Sequence, residues 1–305
     1  MTRVYDLVMT HRLDSDDFFI QRIQGLCAQQ GLNFFLIEPL WVQSFHQALE
    51  QGTVWARWLL NLHSEHHDPS EIYHRLVLLA DARGVRVIDP PDRALAAFNK
   101  AKAHGQLSAA GLNLPPTVIV PRQALATFRF TAEQRELLGN PFVVKPSMGY
   151  GRKGVILDAQ SESDLLRSEV AWPDEHYLVQ RRLMPRRIGA EPAYFRVYHV
   201  FGKLWCCWWN PFTDRFRQVS DVERETLGLE ALDVIALKIA SVTGMQFFST
   251  EILQTDDGTF TVIDYMNDQC HLLTQSASPS NGVPDAVVAG IAESLVAVVA
   301  GSRRT

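Results

Sequence analysis

One stretch, PFVVKPSMGYGRKGV at residues 141–155, most constrains what this chain can fold into. The apolar run Phe142–Val144 ends in Lys145, which predicts a buried strand with a cation at its exit. Three glycines follow it: Gly149, Gly151 and Gly154. An apolar run resumes at Val155, so we expect the glycines to lie in the loop of a β-hairpin. A lysine beside exposed backbone N–H groups is a suitable environment for a polyphosphate.

The glycine spacing alone does not identify the ligand, because Gly-x-Gly-x-x-Gly also occurs in dinucleotide-binding folds and in protein kinases. A dinucleotide-binding fold needs a helix after the loop, where this sequence predicts a strand. The DFG and HRD motifs of protein kinases are absent, and so is the Lys-Ser or Lys-Thr pair of a Walker A loop. A tight solvent-exposed turn stays open as the alternative without a ligand.

Bulk properties indicate an ordinary globular protein. A length of 305 residues favours about two domains, and a formal net charge of −5 gives no basic field that would attract nucleic acid. The N-terminus has no apolar stretch of signal-peptide length, and the four cysteines show no CxxC spacing. The apolar segment Ala286–Ala300 is short for a membrane span and contains Glu293, so we expect a buried helix. We therefore expect a cytoplasmic protein with no membrane or nucleic-acid partner.

The order of the predicted elements puts the likeliest domain boundary at Pro90-Pro91. Residues 1–91 alternate strands with helices, which predicts an open α/β domain around a mostly parallel sheet. Residues 92–187 hold the glycine-rich hairpin, and residues 188–305 hold two more predicted hairpins. The histidines around His63 (His-Ser-Glu-His-His) are interpreted as a polar loop rather than a metal site.

Two further segments of the sequence have helical patterns. One covers Ala94–Gly111 and contains Lys100, which is either an ordinary solvated lysine or a phosphate ligand. The other covers Asp221–Val242 and predicts one long helix.

The last predicted hairpin carries acidic residues inside apolar strands. Glu251 lies in its first strand and Asp264 in its second, followed by Asn267 and Asp268. Burying a carboxylate is costly unless it is paired or binds a metal, so a Mg²⁺ site is favoured here. Pairing with arginines such as Arg196 is the alternative.

Together these motifs resemble the ATP-grasp superfamily, especially the branch with glutathione synthetase and the ribosomal-protein glutamate ligases. The resemblance covers about residues 92–270. It implies an α/β ATP-grasp fold of α+β lobes, in which residues 1–91 form the N-terminal open α/β (pre-ATP-grasp) domain. Residues 92–187 would be the central lobe, and residues 188–305 the C-terminal lobe with the metal site.

The resemblance also implies roles for individual residues. Nucleotide-binding roles fall on Lys100, Lys145, Gly149, Tyr150, Gly151, Gly154, Gln180, Arg181 and Leu183. Catalytic roles fall on Arg196 and Lys145, and Mg²⁺ ligation falls on Glu251, Asp264 and Asn267.

The chain departs from the family pattern at three positions. Arg181 stands where the hinge that meets adenine usually has a carboxylate, and Tyr194 stands where an acid commonly precedes the transfer arginine. The common Glu-x-Asn motif is one residue longer, from Asp264 to Asn267. Asn267 would then face away from the metal unless the strand bends, and Asp268 is a reserve ligand.

The activity implied is that of an ATP-dependent carboxylate–amine ligase with ATP and Mg²⁺ as cofactors. It would form an amide or peptide bond through an acyl phosphate and release ADP and phosphate. The expected partners are small-molecule or peptide carboxylate and amine substrates, and a homo-oligomer is allowed. A kinase of the same fold that phosphorylates a hydroxyl and a non-catalytic nucleotide-binding module stay open as alternatives.

Overall fold

The computed structural model describes residues 2–11, 17–63 and 67–303. Its contacts divide the chain into two compact units. Unit 1 comprises Met1–Leu95, Phe195–Ser249 and Asn267–Thr305, and unit 2 comprises Ala96–Tyr194 and Thr250–Met266.

The helices and strands follow one another in this order. The N-terminal part contains β1 (Arg3–Thr10), α1 (Asp17–Gln29), β2 (Phe34–Ile37), α2 (Val42–Glu50), β3 (Val54–Leu60), α3 (Ile72–Ala82), β4 (Arg86–Ile88) and α4 (Pro91–Phe98). The middle part contains α5 (Lys100–Ala109), β5 (Thr117–Pro121), α6 (Ala132–Leu138), β6 (Phe142–Pro146), β7 (Ile156–Ala159), α7 (Ser163–Ala171), β8 (His176–Arg181), β9 (Arg187–Ile188) and β10 (Glu191–Pro192). The C-terminal part contains β11 (Tyr194–Val200), β12 (Lys203–Asn210), β13 (Arg215–Gln218), α8 (Asp221–Leu227), α9 (Glu230–Thr243), β14 (Phe247–Gln254), β15 (Phe260–Asn267) and α10 (Asp285–Gly301).

Unit 1 begins with the open α/β fold that the alternating pattern predicts. Its four-stranded sheet has the order β2-β1-β3-β4, and every pairing is parallel. Such a sheet is stable because helices cover its strands, and α2 and α3 pack their apolar side chains against it. The predicted parallel sheet is therefore confirmed. His63 stacks on Tyr73 with ring centres 3.6 Å apart, whereas His66 lies outside the described residues.

The rest of unit 1 contains the strand order β13-β12-β11-β14 and the C-terminal helix. Helix α10 is largely buried, as its composition predicts. The prediction of one helix over Asp221–Val242 is wrong, because the chain breaks into α8 and α9. Gly228 ends α8 in the left-handed region at φ 65°, and α8 has its own capping box from Ser220 and Glu223.

Unit 2 is built around a four-stranded antiparallel sheet of order β5-β8-β6-β7. One face of this sheet packs on α6 and α7 through a core that includes Val144, Tyr177 and Val179. Side chains directly opposite each other on paired strands share a face. The register therefore puts these residues, among others, on the other face: Thr117, Ile119, Val143, Lys145, Leu178 and Gln180. Unit 2 also contains the second part of β14 beside β15.

Candidate functional site

The glycine-rich segment forms the predicted β-hairpin. Strands β6 and β7 pair antiparallel, with Val144 opposite Ile156, and the glycines lie in the loop between them. Gly154 has φ +69°, and a Cβ added there would lie 2.7 Å from both Pro146 Cγ and Trp172 Cβ. The Ser168 hydroxyl donates to the Gly154 carbonyl at 2.6 Å. The end of the loop is therefore held against α7 at a position where only glycine fits without rearrangement.

The middle of the loop is held by an aromatic cluster. Tyr150 packs edge-on against Trp172 with ring centres 5.4 Å apart. The Lys153 ammonium lies 4.3 Å from the centre of the Tyr150 ring and 4.9 Å from that of Trp172. These contacts hold a cation within the loop.

Lys100 is the first residue of α5, because the predicted helix over Ala94–Gly111 is interrupted at Asn99. The Asn99 side chain caps α5 by accepting from the Lys102 N–H at 3.0 Å. The Lys100 N–H donates to the Ser147 carbonyl at 2.9 Å, and its Nζ donates to the Gly149 carbonyl at 2.6 Å. A lysine and a helix N-terminus, both electropositive, therefore meet at the entrance of the glycine loop.

Lys145 lies at the exit of β6, as the sequence predicts. Its Nζ donates to the Ile263 carbonyl on β15 at 3.1 Å. Burial is the main effect on the pKa of this ammonium and lowers it. The charges of Asp264 and Glu251 oppose that shift, whereas the charge of Lys100 adds to it. Two carboxylates and a second lysine thus act on the Lys145 ammonium inside unit 2.

The two carboxylates come from adjacent strands. Glu251 on β14 is buried, and the Tyr194 hydroxyl donates to its Oε2 at 2.9 Å. Asp264 lies on β15, where its backbone carbonyl accepts from the Thr250 hydroxyl at 3.0 Å. Tyr194, which replaces the acid of the family pattern, therefore positions a candidate metal ligand. No pattern in the sequence indicates this contact.

These carboxylates fit a metal ion that is shared with phosphate oxygens. Mg²⁺ is usually bound by one or two carboxylates together with substrate phosphates rather than by an all-protein cage. In the described ranges, no three or more His, Cys, Asp or Glu side chains form such a cage. Glu251 and Asp264, whose charges both act on Lys145, are candidates for the first arrangement.

The residues of the predicted hinge lie at the end of β8 and directly after it. Gln180 is buried on the same sheet face as Lys145. The side chain of Arg181 donates to the carbonyls of Leu137 at 2.7 Å and Glu136 at 3.1 Å, so its charge stabilises the C-terminal end of α6. The Arg181 N–H donates to the Pro116 carbonyl at 2.8 Å, and partly buried Leu183 follows the strand.

Two predicted site residues belong to unit 1. Arg196 is buried on β11, and its guanidinium lies 4.6 Å from the centre of the Trp209 ring. Asn267 is the last residue of β15, and Asp268 follows it. Three predictions for these residues stay predictions: the catalytic role of Arg196, the metal-binding role of Asn267, and the bend of the strand before Asn267.

A further group of site residues was missed by sequence reasoning. His104, four residues after Lys100, lies 2.6 Å through Nδ1 from the Tyr265 hydroxyl, which also contacts Gln180 at 2.9 Å. The spacing of Lys100 and His104 on one helix face was the available signal, but nothing indicated their partner on β15.

Solved structures with a similar fold match nearly the whole length of this chain. D-alanine–D-alanine ligase from Bacillus anthracis, complexed with ATP, matches with a TM-score of 0.65 over 100% of this chain and 99% of its own, at 14% identity. The chain has the ATP-grasp fold. The ATP-grasp ligase PsnB, complexed with a precursor variant, Mg and ADP, gives a TM-score of 0.62 at 14% identity over 97% and 99% of the two chains. A RimK domain ATP-grasp protein from Sphaerobacter thermophilus gives 0.60 at 17% identity over 96% and 98%.

The resemblance inferred from the motifs is thus confirmed at the level of the ATP-grasp fold. No protein-family model matches the sequence, and no curated protein is significantly similar to it. None of the helices in the part of the chain that the structure describes is long and apolar enough to cross a membrane.

Proposed function

We propose that this protein is an ATP-dependent carboxylate–amine ligase that forms an amide or peptide bond and releases ADP and phosphate. The observation that carries the proposal is the set of charges in unit 2. Lys100 and Lys145 lie at the glycine hairpin, and the charges of Glu251 and Asp264 act on Lys145. This is the arrangement of charges that a metal-bound triphosphate requires.

The proposed reaction has two steps. A carboxylate oxygen of the first substrate bonds to the γ-phosphorus of ATP while the bond to ADP breaks. The amine nitrogen of the second substrate then bonds to the acyl carbon, phosphate leaves and the amine loses a proton. The first step is needed because an unmodified carboxylate has only oxide as a leaving group.

In this proposal the residues of the chain position and neutralise charge. Lys100 and Lys145 contact the phosphates, and the N–H groups of the glycine loop cover them. Glu251 and Asp264 would hold Mg²⁺, with Asn267 as a third ligand, and bound Mg²⁺ would neutralise charge on the phosphate oxygens. We assign Arg196 to the transferring phosphoryl group and assign no covalent protein nucleophile.

The structural neighbours support a substrate with a carboxylate and an amine. Their names include D-alanine–D-alanine ligase, D-cycloserine synthetase and a ligase solved with a precursor peptide. We therefore propose small-molecule or peptide substrates for this chain, and a cytoplasmic location follows from the same proposal.

The proposal is tested by measuring ADP release from ATP and Mg²⁺ with a panel of amino acids and short peptides, each with and without hydroxylamine. A ligase gives ADP only with an acid, and hydroxylamine traps the acyl phosphate as a hydroxamate. Release of AMP, or of ADP with an alcohol but with no acid, would exclude the ligase. Nucleotide binding without turnover across the panel would instead favour a binding module.

A further inference from the structure

Ser147 joins three segments of unit 2 at the entrance of the glycine loop. It directly follows β6 and is only 1% exposed. Its N–H donates to the His176 carbonyl on β8 at 2.9 Å, and its carbonyl accepts from the Lys100 N–H, also at 2.9 Å. Its hydroxyl oxygen lies 2.8 Å from Asn99 Oδ1 and 3.0 Å from the Ala101 backbone nitrogen. One buried residue therefore connects the loop, α5 and β8.

The direction of the two hydroxyl contacts follows from the partner atoms. Asn99 Oδ1 also accepts the Lys102 N–H at 3.0 Å, which identifies this atom as the amide oxygen. An amide oxygen cannot donate, so the Ser147 hydroxyl donates its proton to Asn99. The hydroxyl oxygen then accepts the Ala101 N–H. The hydroxyl thus both donates and accepts within the protein.

These contacts occupy the N–H groups of the first turn of α5. The first N–H groups of a helix have no partner within the helix, and such groups often bind a phosphate. In α5 the N–H groups of residues 100–102 donate in turn to the Ser147 carbonyl, the Ser147 hydroxyl and Asn99 Oδ1. Lys100 must therefore reach a phosphate with its side chain and not with its backbone.

The same contacts fix the point from which the Lys100 side chain extends. The N–H groups of Lys100 and of the residue after it are bound to Ser147, and Lys100 Nζ contacts the Gly149 carbonyl at 2.6 Å. The rest of α5 is held independently, through the buried side chains of Ala103 and Leu107. Loss of the Ser147 hydroxyl should therefore loosen the first turn, with Lys100, and leave the helix in place.

We propose that Ser147 is a positioning residue whose hydroxyl holds Lys100 in place to contact the phosphates of ATP. This inference rests on the proposed function, since it needs a nucleotide at the glycine loop. Its specific claim is that Ser147 acts on nucleotide binding through Lys100 and not through the stability of unit 2. The backbone hydrogen bond between the two residues does not depend on the hydroxyl, so a substitution of Ser147 tests the hydroxyl alone.

The test is a double-mutant cycle of Ser147→Ala and Lys100→Ala, with the Kd of Mg·ATP measured by calorimetry. Ser147→Ala should weaken binding about tenfold, as expected when one buried N–H group loses its partner. Lys100→Ala removes the group that is positioned. Adding Ser147→Ala to Lys100→Ala should therefore change the Kd by less than about twofold, the limit expected for residues that act on binding as one unit.

A matched control at Thr131 separates helix capping in general from an effect on the lysine. The Thr131 hydroxyl accepts the Gln134 N–H at 3.2 Å at the start of α6, which carries no predicted phosphate ligand. Thr131→Ala should lower the free energy of unfolding, as the loss of a helix cap does, and leave the Kd of Mg·ATP unchanged.

A second variant keeps the test decisive if Ser147→Ala does not fold. Asn99→Ala removes the acceptor of the Ser147 hydroxyl, and Asn99 is only partly buried. Asn99→Ala should also weaken Mg·ATP binding, and this loss should likewise disappear in the Lys100→Ala background.

The outcomes separate this inference from the function. Failure of the wild-type protein to bind Mg·ATP would overturn the proposed function, and this inference with it. Binding that is unchanged by Ser147→Ala would overturn the positioning role alone. A loss of the same factor with and without the Lys100 side chain would do so too, because Ser147 would then act by another route.

Discussion

Gly154 provides the sharpest test of how the glycine loop is built. A methyl group at this position would meet Pro146 Cγ and Trp172 Cβ, both at 2.7 Å. Carbon atoms normally pack at about 3.5–4.0 Å, and neither atom is at the end of a flexible side chain. Gly154→Ala should therefore force the hairpin away from α7.

Gly151 is the matched control, because it lies in the same loop with a similar backbone. Its φ is +59°, against +69° for Gly154, but a Cβ there has nothing within 4 Å. Each alanine costs about 1–2 kcal/mol for the left-handed conformation. Only Gly154→Ala adds overpacking, which typically costs about 1–3 kcal/mol. The difference between the variants should therefore be about 1–3 kcal/mol, since the effect of alanine on the unfolded chain cancels.

The assay is urea unfolding of both variants, combined with hydrogen exchange of the amides in β6, β7 and α7. Gly154→Ala should lower the free energy of unfolding more and lose protection in those three elements. Equal losses in the two variants would refute the packing that we describe around the loop.

Three further results are expected from single substitutions. Lys145→Ala should weaken Mg·ATP binding about 10- to 100-fold in calorimetry, because it removes a charge-assisted contact to the phosphates. Lys102→Ala, at an exposed lysine, should leave the affinity unchanged. Equal Mg·ATP affinities of the two variants would reject the phosphate role of Lys145. Asp264→Asn should lower turnover at saturating Mg²⁺ by at least ~100-fold, and Asp268→Asn should lower it much less. The reverse order would show that Asp268, and not Asp264, is the metal ligand. Hydrogen bonds from Arg217 lower the pKa of the Glu223 carboxyl from 4.5 to about 2. The ionised carboxylate therefore stabilises the fold above pH 4.5, and this stabilisation is lost as the pH falls toward 2. Glu223→Gln should then lower the free energy of unfolding by about 1 kcal/mol at pH 7, measured with urea. The difference in this free energy between the variant and the wild type should shrink below pH 4.5. A difference that does not change with pH would contradict this prediction.

The features that could be predicted from sequence are those set by neighbouring residues. The glycine hairpin and the parallel sheet follow from local apolar patterns and turn residues, because strand period and turn chemistry act within a few positions. Lys145 is at the strand exit for the same reason. The break at Gly228 was missed because the helical pattern continues on both sides of it, although the glycine itself was a signal.

Contacts between distant segments could not be predicted. Arg181 occupies the position of a nucleotide-facing carboxylate in the family pattern, yet its side chain stabilises α6 more than 40 residues earlier. Tyr194 meets Glu251, and Tyr265 meets His104, only because the fold brings their strands and helices together. A single sequence specifies the residue types but not these partners, which depend on tertiary packing.

The most direct test of the central claim follows one oxygen atom. The acid found in the ADP screen is prepared with a heavy-oxygen label in its carboxylate and turned over with ATP, Mg²⁺ and the amine. An acyl phosphate transfers one labelled oxygen to inorganic phosphate, which phosphorus NMR detects as an isotope shift. We predict the label in phosphate; label in AMP, or unlabelled phosphate beside a formed amide, would contradict the account.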